Sequence, residues 1–122
     1  MAATNHQTGK LAEEIAANLL RLKGWRILEK RWQPGRGSGG GEIDLIAARG
    51  GLLAFVEVKH RDDLATAAES VTARQRQRIA RAAEIYLGHF PQYGEKGVRF
   101  DVILLAPGKV PKHIKDAWRL ES

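Results

Sequence analysis

The segment of residues 41–61, GEIDLIAARGGLLAFVEVKHR, constrains the fold most, because two apolar runs flank the pair Gly50-Gly51. Two consecutive glycines suit a two-residue turn that requires positive φ. The sequence therefore predicts a β-hairpin with strands at residues 42–49 and 52–59. If Gly50 and Gly51 form the turn, Arg49 faces Leu52, and this pair fixes the register of the remaining pairs.

Four charged residues fall within these otherwise apolar strands, and the register brings them together. Asp44 lies opposite Glu57, and Glu42 lies opposite Lys59. Because side chains alternate along a strand, all four are expected on one face. The opposite face is predicted to be core, and it carries Ile43, Leu45, Ala47, Ala54, Val56 and Val58.

Two interpretations of the charged face are open. Opposed carboxylates repel, and a divalent cation between Asp44 and Glu57 removes that cost. Mg²⁺ favours one or two carboxylates together with retained waters, and Lys59 on the same face can stabilise charge on a phosphate or orient an attacking water. These are the parts of metal-assisted phosphodiester hydrolysis. Alternatively, the open end of the hairpin emerges into solvent, and Glu42 and Lys59 form a surface ion pair.

Helix and strand patterns precede the hairpin. Residues 8–23 are predicted to form a helix, because apolar residues recur there at helical spacing. Its apolar face is expected to carry Leu11, Ile15, Leu19 and Leu22. Residues 25–31 are predicted to form a short strand. The loop of residues 34–41 follows, with five glycines among its eight residues.

Further elements follow the hairpin. Residues 60–69 are polar and are expected to form a loop, and Thr72 and Gln75 fit a capping box that opens a second helix. This helix is predicted to end near Leu87. Its apolar face is expected to carry Ile79, Ala83, Tyr86 and Leu87. Residues 97–105 are predicted to form a strand, and residues 113–118, HIKDAW, to add a helical turn.

The predicted order is α-β-β-β-α-β within one domain spanning residues 1–122, with a core at about 8–118. Strongly apolar strands are best covered by packing helices against a sheet. The last strand follows a helix, so it is expected to run parallel to an earlier strand through a right-handed crossover. The fold class is therefore α/β, with a mixed central sheet flanked by helices.

Charge and composition narrow the partners. The net charge of +6 and the isoelectric point near 10 favour polyanions, above all nucleic acid, although a basic solvated surface gives the same numbers. Arg74, Arg78 and Arg81 share one helix face and are candidates for phosphate contacts, as is Arg61 just past the hairpin. No apolar run approaches the length of about 18 residues that a membrane span needs. The N-terminus lacks the apolar segment of a signal peptide, so a cytoplasmic protein is expected.

Three motifs, GEIDLI, FVEVK followed by Arg61, and RFDV at residues 99–102, occur in this order. Asp44, Glu57 and Lys59 match the D…ExK signature of the PD-(D/E)xK nuclease superfamily. The chain more closely resembles the YraN-type family of predicted endonucleases, which is distantly related to archaeal Holliday junction resolvases. The resemblance extends from about Gly9 to Trp118. It implies a restriction-endonuclease-like αβββαβ core.

The resemblance also implies roles for individual residues. Asp44 and Glu57 would bind Mg²⁺, or Mn²⁺ as a substitute, the Val58 carbonyl would complete the metal shell, and Lys59 would be catalytic. Gly9, Glu13 and Ala16 match the family's first helix, so Glu13 would be a further carboxylate that reaches the site, with a solvated helix residue as the alternative. Glu42 belongs to the motif as a secondary site residue and pairs with Lys59 in this interpretation.

Some features depart from the family pattern. Gln75 stands where relatives often have a lysine, and it serves either the site or only the capping box. The segment KRWQ lacks an asparagine common in relatives. Arg99 and Asp101 fit the RFDV motif and are expected to form a structural ion pair. The four histidines show no metal-ligand spacing and are predicted to lie on the surface.

The function implied is metal-dependent hydrolysis of DNA, with branched, Holliday-junction-like DNA as a candidate substrate. Related resolvases act as dimers, which suggests a homodimer. The alternative is a nucleic-acid-binding module of the same fold that has no hydrolytic role.

Overall fold

The computed structural model of the chain describes residues 5–119. The three helices of this region are α1 (Asn5–Leu22), α2 (Leu64–Glu69) and α3 (Ala73–His89). Its five strands are β1 (Arg26–Trp32), β2 (Ile43–Arg49), β3 (Leu52–His60), β4 (Gly97–Leu105) and β5 (Lys112–Trp118). The predicted order is present, and α2 and β5 are added to it.

The strands form one sheet in the order β1-β2-β3-β4-β5. Only β3 and β4 are parallel, because α2 and α3 carry the chain back across the sheet between them. The other neighbours are antiparallel. The expected α/β class with a mixed sheet flanked by helices is confirmed, and the arrangement is consistent with a restriction-endonuclease-like core. The hairpin register with Arg49 opposite Leu52 is also confirmed.

Each face of the sheet buries its own apolar cluster. One cluster joins Phe55 on β3 to Ile79 and Tyr86 on α3, so the predicted apolar face of this helix is confirmed. The other joins Leu45 and Val56 to α1. None of the helices within residues 5–119 combines the length and apolar character needed to cross a bilayer.

The predicted apolar face of α1 is wrong except at Leu19, which packs against the core. Leu11, Ile15 and Leu22 are exposed, by 62%, 42% and 87% respectively. The buried side chains of α1 are instead Ala12, Ala16, Ala17 and Leu20. Small alanines let the helix backbone approach the sheet closely, and packing against the sheet decides which of two apolar stripes is buried.

Two segments differ from the predicted elements for identifiable reasons. Residues 64–69 of the expected polar loop form α2, because Asp63 caps the helix by accepting a hydrogen bond from the Thr66 N–H at 2.7 Å, and Ala67 is buried. Residues 113–118 form part of strand β5 rather than a helical turn. They pair with β4, which would otherwise leave an open sheet edge.

Arg99 and Asp101 form the predicted ion pair, with 2.7 Å between Nη2 and Oδ2. Asp101 is fully buried, and it also accepts hydrogen bonds from His113 Nε2 at 2.8 Å and from the Asp116 N–H at 2.9 Å. The surface position predicted for His113 is therefore wrong, since only 2% of its side chain is exposed. These hydrogen bonds hold the pKa of Asp101 below its ordinary value, although burial opposes them.

Candidate functional site

The paired part of β2 and β3 ends short of the charged residues. Backbone pairing runs from the turn to Leu45 opposite Val56. At the next position, Asp44 Oδ2 accepts a hydrogen bond from the Val58 N–H at 2.7 Å. A side-chain oxygen therefore takes the place of a backbone acceptor. The ladder ends one pair before Asp44 and Glu57, whose carboxyl groups are still neighbours, as the predicted register requires. Glu42 lies outside β2, so its predicted ladder position opposite Lys59 is wrong.

A cleft of about 770 Å³ lies at this end of the hairpin. Its size falls within the usual range for ligand sites. It lies between the N-terminal part of α1 and the first turns of α3. The structure places in its lining all five residues that the sequence singled out as catalytic: Glu13, Asp44, Glu57, Lys59 and Gln75.

Glu57 is buried at the wall of the cleft, with only 4% of the residue exposed. Lys59 Nζ lies 3.3 Å from Glu57 Oε1, and Gln75 Nε2 donates a longer hydrogen bond to the same oxygen, at 3.4 Å. The other oxygen, Oε2, is buried and has no hydrogen-bond partner among the described residues. Burial, followed by the neighbouring Asp44 carboxyl group, raises the pKa of Glu57 to about 9, although Lys59 opposes the shift. Burial and Asp44 therefore favour the protonated form of Glu57 when no cation is bound.

Gln75 makes contacts towards both of its predicted partners, the cap and the cleft, with different atoms. Its backbone N–H donates to the Thr72 side chain at 3.2 Å, so Thr72 is the N-cap of α3. Its side chain turns to Glu57 rather than back to the cap. The start of α3 thus delivers an amide donor to the buried carboxyl group.

A divalent cation fits the chemistry of these groups. Asp44 raises the cost of ionising Glu57, and ionised Glu57 would keep a buried oxygen without a hydrogen-bond donor. A bound cation would remove both penalties. Residues 5–119 contain no group of three or more His, Cys, Asp or Glu side chains placed to hold a metal. If a cation binds here, Asp44, Glu57 and the backbone at Val58 would be its protein ligands, and retained waters would complete its shell.

Glu13 lies in the cleft but is bonded to Arg31. Arg31 Nε lies 2.9 Å from each oxygen of the Glu13 carboxylate. Burial raises the pKa of Glu13, with a further contribution from Asp44, while the hydrogen bond from Arg31 lowers it. The solvated alternative for Glu13 is wrong, since only 14% of its side chain is exposed.

Glu42 and the predicted phosphate-binding arginines differ in position. Glu42 lines the cleft and accepts a hydrogen bond from Gln33 at 2.9 Å, so its predicted pairing with Lys59 is wrong. Arg61, Arg74 and Arg78 line the cleft. Arg81 lies outside the lining, where it donates to the Ser38 carbonyl and to Glu84, both at 3.1 Å.

Comparison with known proteins identifies relatives over almost the whole length. Residues 12–105 match the model of the uncharacterised protein family UPF0102. The chain belongs to the UPF0102 family. It is 57% identical to the UPF0102 protein amb4503 of Paramagnetospirillum magneticum over 93% of this chain and 88% of the relative. It is 44% identical to a UPF0102 protein of Parvibaculum lavamentivorans, over 93% and 83% of the two chains.

Sequence reasoning missed several groups in the cleft of this UPF0102 protein. His60 and Ser70 belong to its lining, and Arg31 holds Glu13. His60 directly follows the motif lysine, so its proximity was readable from the strand. Arg31 carried no such signal, because its contact depends on how α1 crosses β1.

Proposed function

We propose that this UPF0102 protein is a metal-dependent nuclease of the PD-(D/E)xK type that hydrolyses phosphodiester bonds in DNA, with branched DNA as the favoured substrate. The observation that carries the proposal is the buried Glu57 carboxyl group, which lies beside Asp44 and 3.3 Å from Lys59 in a cleft with arginines along its wall. A purely structural role does not account for a buried carboxyl group, next to an open cleft, whose ionisation is opposed by burial and by a second carboxyl group.

Each residue of the site would have a separate role in hydrolysis. Asp44 and Glu57 would hold Mg²⁺, or Mn²⁺ in its place, with the Val58 carbonyl as a further ligand. When bound, the cation supplies Lewis-acid stabilisation of phosphate charge. Water forms the new bond to phosphorus and gives up a proton, the bond to the leaving sugar oxygen breaks, and that oxygen takes up a proton. Lys59 Nζ donates hydrogen bonds to the charge that develops on the phosphate, and Gln75 orients Glu57.

The cleft walls would hold the substrate. Arg61, Arg74 and Arg78 approach the same cavity as the two carboxyl groups, and guanidinium groups bind phosphate oxygens in a planar, two-donor geometry. Phosphates flanking the cut bond would contact these side chains. Such contacts recognise the backbone rather than the base sequence, as suits recognition of DNA shape.

A second candidate is a nucleic-acid-binding module without hydrolytic activity. It is favoured by the internal pairing of the cleft, where Lys59 bonds Glu57 and Arg31 bonds Glu13. In that case the carboxyl groups are structural and the arginines alone bind the polyanion. Metal binding separates the two candidates, because only the enzyme requires a cation at Glu57.

The test is a calorimetric titration of Mn²⁺ into wild type and Glu57→Gln, followed by incubation of both with Mg²⁺ and either duplex or four-way-junction DNA. Glutamine keeps the shape of Glu57 and cannot ionise to bind a cation. We expect wild type to bind Mn²⁺ and to cut DNA, and Glu57→Gln to do neither. Glu69→Gln, at an exposed position on α2 outside the cleft, is the matched control and should behave as wild type.

DNA cleavage that survives Glu57→Gln would refute the assignment of the site. DNA binding without Mn²⁺ binding would favour the second candidate. The homodimer and the cytoplasmic location remain predictions. Sedimentation of the purified chain tests the first, and fractionation of cells that express it tests the second.

A further inference from the structure

Arg31 has an unusual backbone for its residue type. Its φ of +51° lies in the left-handed region, and within residues 5–119 it shares a positive φ with only one other residue that is not glycine, Asp116. A side chain with a Cβ is disfavoured in this region, so the surrounding structure must hold it there. At Arg31 this conformation occurs near the end of β1, beside the candidate metal site.

The contact that accompanies this backbone is specific. Arg31 Nε lies 2.9 Å from both carboxylate oxygens of Glu13. The neighbouring residues Lys30 and Glu14 also form an ion pair between β1 and α1, but both of their side chains are more than 40% exposed. The exposed Lys30–Glu14 ion pair, called the outer pair, therefore already joins α1 to β1. The Arg31–Glu13 ion pair, called the inner pair, instead binds the α1 carboxylate that lines the cleft.

The engagement of both Glu13 oxygens has a chemical consequence. A carboxylate shared with a guanidinium is a poor ligand for a cation, and arginine stays protonated throughout the accessible pH range. Arg31 then offsets the charge of Glu13, and Asp44 and Glu57 remain as the carboxyl groups available to one dication. Glu42 also lines the cleft, but Gln33 donates a hydrogen bond to it. Glu13, once released from Arg31, would be the carboxylate that joins Asp44 and Glu57 and attracts a second dication.

We propose that Arg31 is a positioning residue that keeps Glu13 out of the metal's ligand shell, so that the site holds a single divalent cation between Asp44 and Glu57. This inference rests on the proposed metal-dependent function and adds its stoichiometry. Three observations support it: the left-handed backbone of Arg31, its contact with both Glu13 oxygens, and the absence of a three-carboxylate metal cluster within residues 5–119.

The test counts Mn²⁺ ions per chain by calorimetry, with the electron paramagnetic resonance signal of free Mn²⁺ as a second readout. Arg31→Asn removes the guanidinium and retains the backbone, because asparagine tolerates positive φ. We expect one ion in wild type and two in Arg31→Asn. Adding Glu13→Gln to Arg31→Asn should return the count to one. Lys30→Gln, which breaks only the outer pair, is the matched control and should bind one ion.

The outcomes distinguish this inference from the proposed function. Two ions in wild type, or one ion in Arg31→Asn with the affinity of wild type, would overturn the role of Arg31 and leave the nuclease intact. A wild type that binds no Mn²⁺ would overturn both. Circular dichroism of each variant verifies that the count refers to folded protein.

Discussion

At the scale of single residues, Glu57 combines two properties that conflict in the absence of a ligand. Its side chain is buried, and the carboxyl group of Asp44 lies next to it. Both properties disfavour the charged form that a metal ligand must adopt. Lys59 offsets only part of this cost. The environment of Glu57 therefore lowers the stability of the folded protein when the carboxyl group must ionise. This loss is measurable as a pH dependence of the free energy of unfolding.

We predict that the metal-free protein loses stability as the pH rises from the ordinary carboxyl value of 4.5 towards 9. Folded Glu57 keeps its proton in this range and unfolded Glu57 releases it, so the folded state binds more protons. The free energy of unfolding should fall by up to about 1.4 kcal/mol per pH unit. Urea denaturation across this range measures it.

Glu57→Gln is the control for this pH dependence, because it removes the titrating group. The variant should lose the contribution of Glu57 and retain that of Glu13, whose pKa burial also raises. The carboxyl groups of Asp63 and Asp101 do not contribute in this range, since their pKa values are lowered from 3.8. Equal slopes in wild type and variant would contradict the assignment of the proton to Glu57.

The sequence predicted which residues meet in the cleft but not how they bond. Asp44, Glu57 and Lys59 lie within one hairpin, so turn position and strand alternation suffice to bring them together. Arg31 and His113 are different, because their partners Glu13 and Asp101 lie on other elements. Neither the left-handed backbone of Arg31 nor the burial of His113 has a local sequence signal.

At the scale of elements, α1 shows that an apolar stripe does not by itself identify the buried face. We predict that Leu20→Ala, at a fully buried position, lowers the free energy of unfolding by about 2–5 kcal/mol. Ile15→Ala should change it by less than about 0.5 kcal/mol, because Ile15 is 42% exposed. Chemical denaturation measures both. Similar losses in the two variants would mean that the helix buries its other face.

The glycine-rich loop depends on close packing against α3. A Cβ on Gly40 would lie 2.7 Å from Pro34 Cγ and 3.0 Å from Ala82 Cα, whereas a Cβ on Gly35 meets nothing within 4 Å. We predict that Gly40→Ala costs about 1–3 kcal/mol, as overpacking does. Gly35→Ala is the control and should be near neutral. Thermal unfolding of both variants tests this, and an unchanged midpoint in Gly40→Ala would refute it.

Elements were predictable where the pattern is local and strong. The hairpin, α3 and β4 follow from a glycine turn, a threonine cap and a continuous apolar run. The segment of β5 has no such pattern, and its conformation is set by pairing with β4. The sequence did not predict α2, because its N-cap and its single buried alanine lie in a stretch that is otherwise polar.

At the scale of the whole molecule, a net charge of +6 attracts polyanions without specifying where they bind. The cleft adds that information, because Arg74 and Arg78 line it together with the candidate metal ligands. Arg76 lies on the same helix, but its Cζ lies over the Trp118 ring, 5.9 Å from the ring centroid. Arg119 forms an ion pair with Asp116, with 2.7 Å between Nη2 and Oδ2. Removing two positive charges at Arg74 and Arg78 should therefore affect DNA binding differently from removing two at Arg76 and Arg119.

We predict that Arg74→Gln with Arg78→Gln reduces the salt dependence of DNA binding. Each lost contact with a phosphate lowers the slope of log K against log salt by about 0.9, so the double variant should lose about 1.8. Arg76→Gln with Arg119→Gln removes the same net charge outside the cleft and should retain the wild-type slope. Fluorescence anisotropy over a range of salt concentrations measures the slopes of both double variants. Divalent metal is left out so that the DNA is not cut. Equal slopes in the two double variants would mean that DNA responds to the overall charge and does not lie in the cleft.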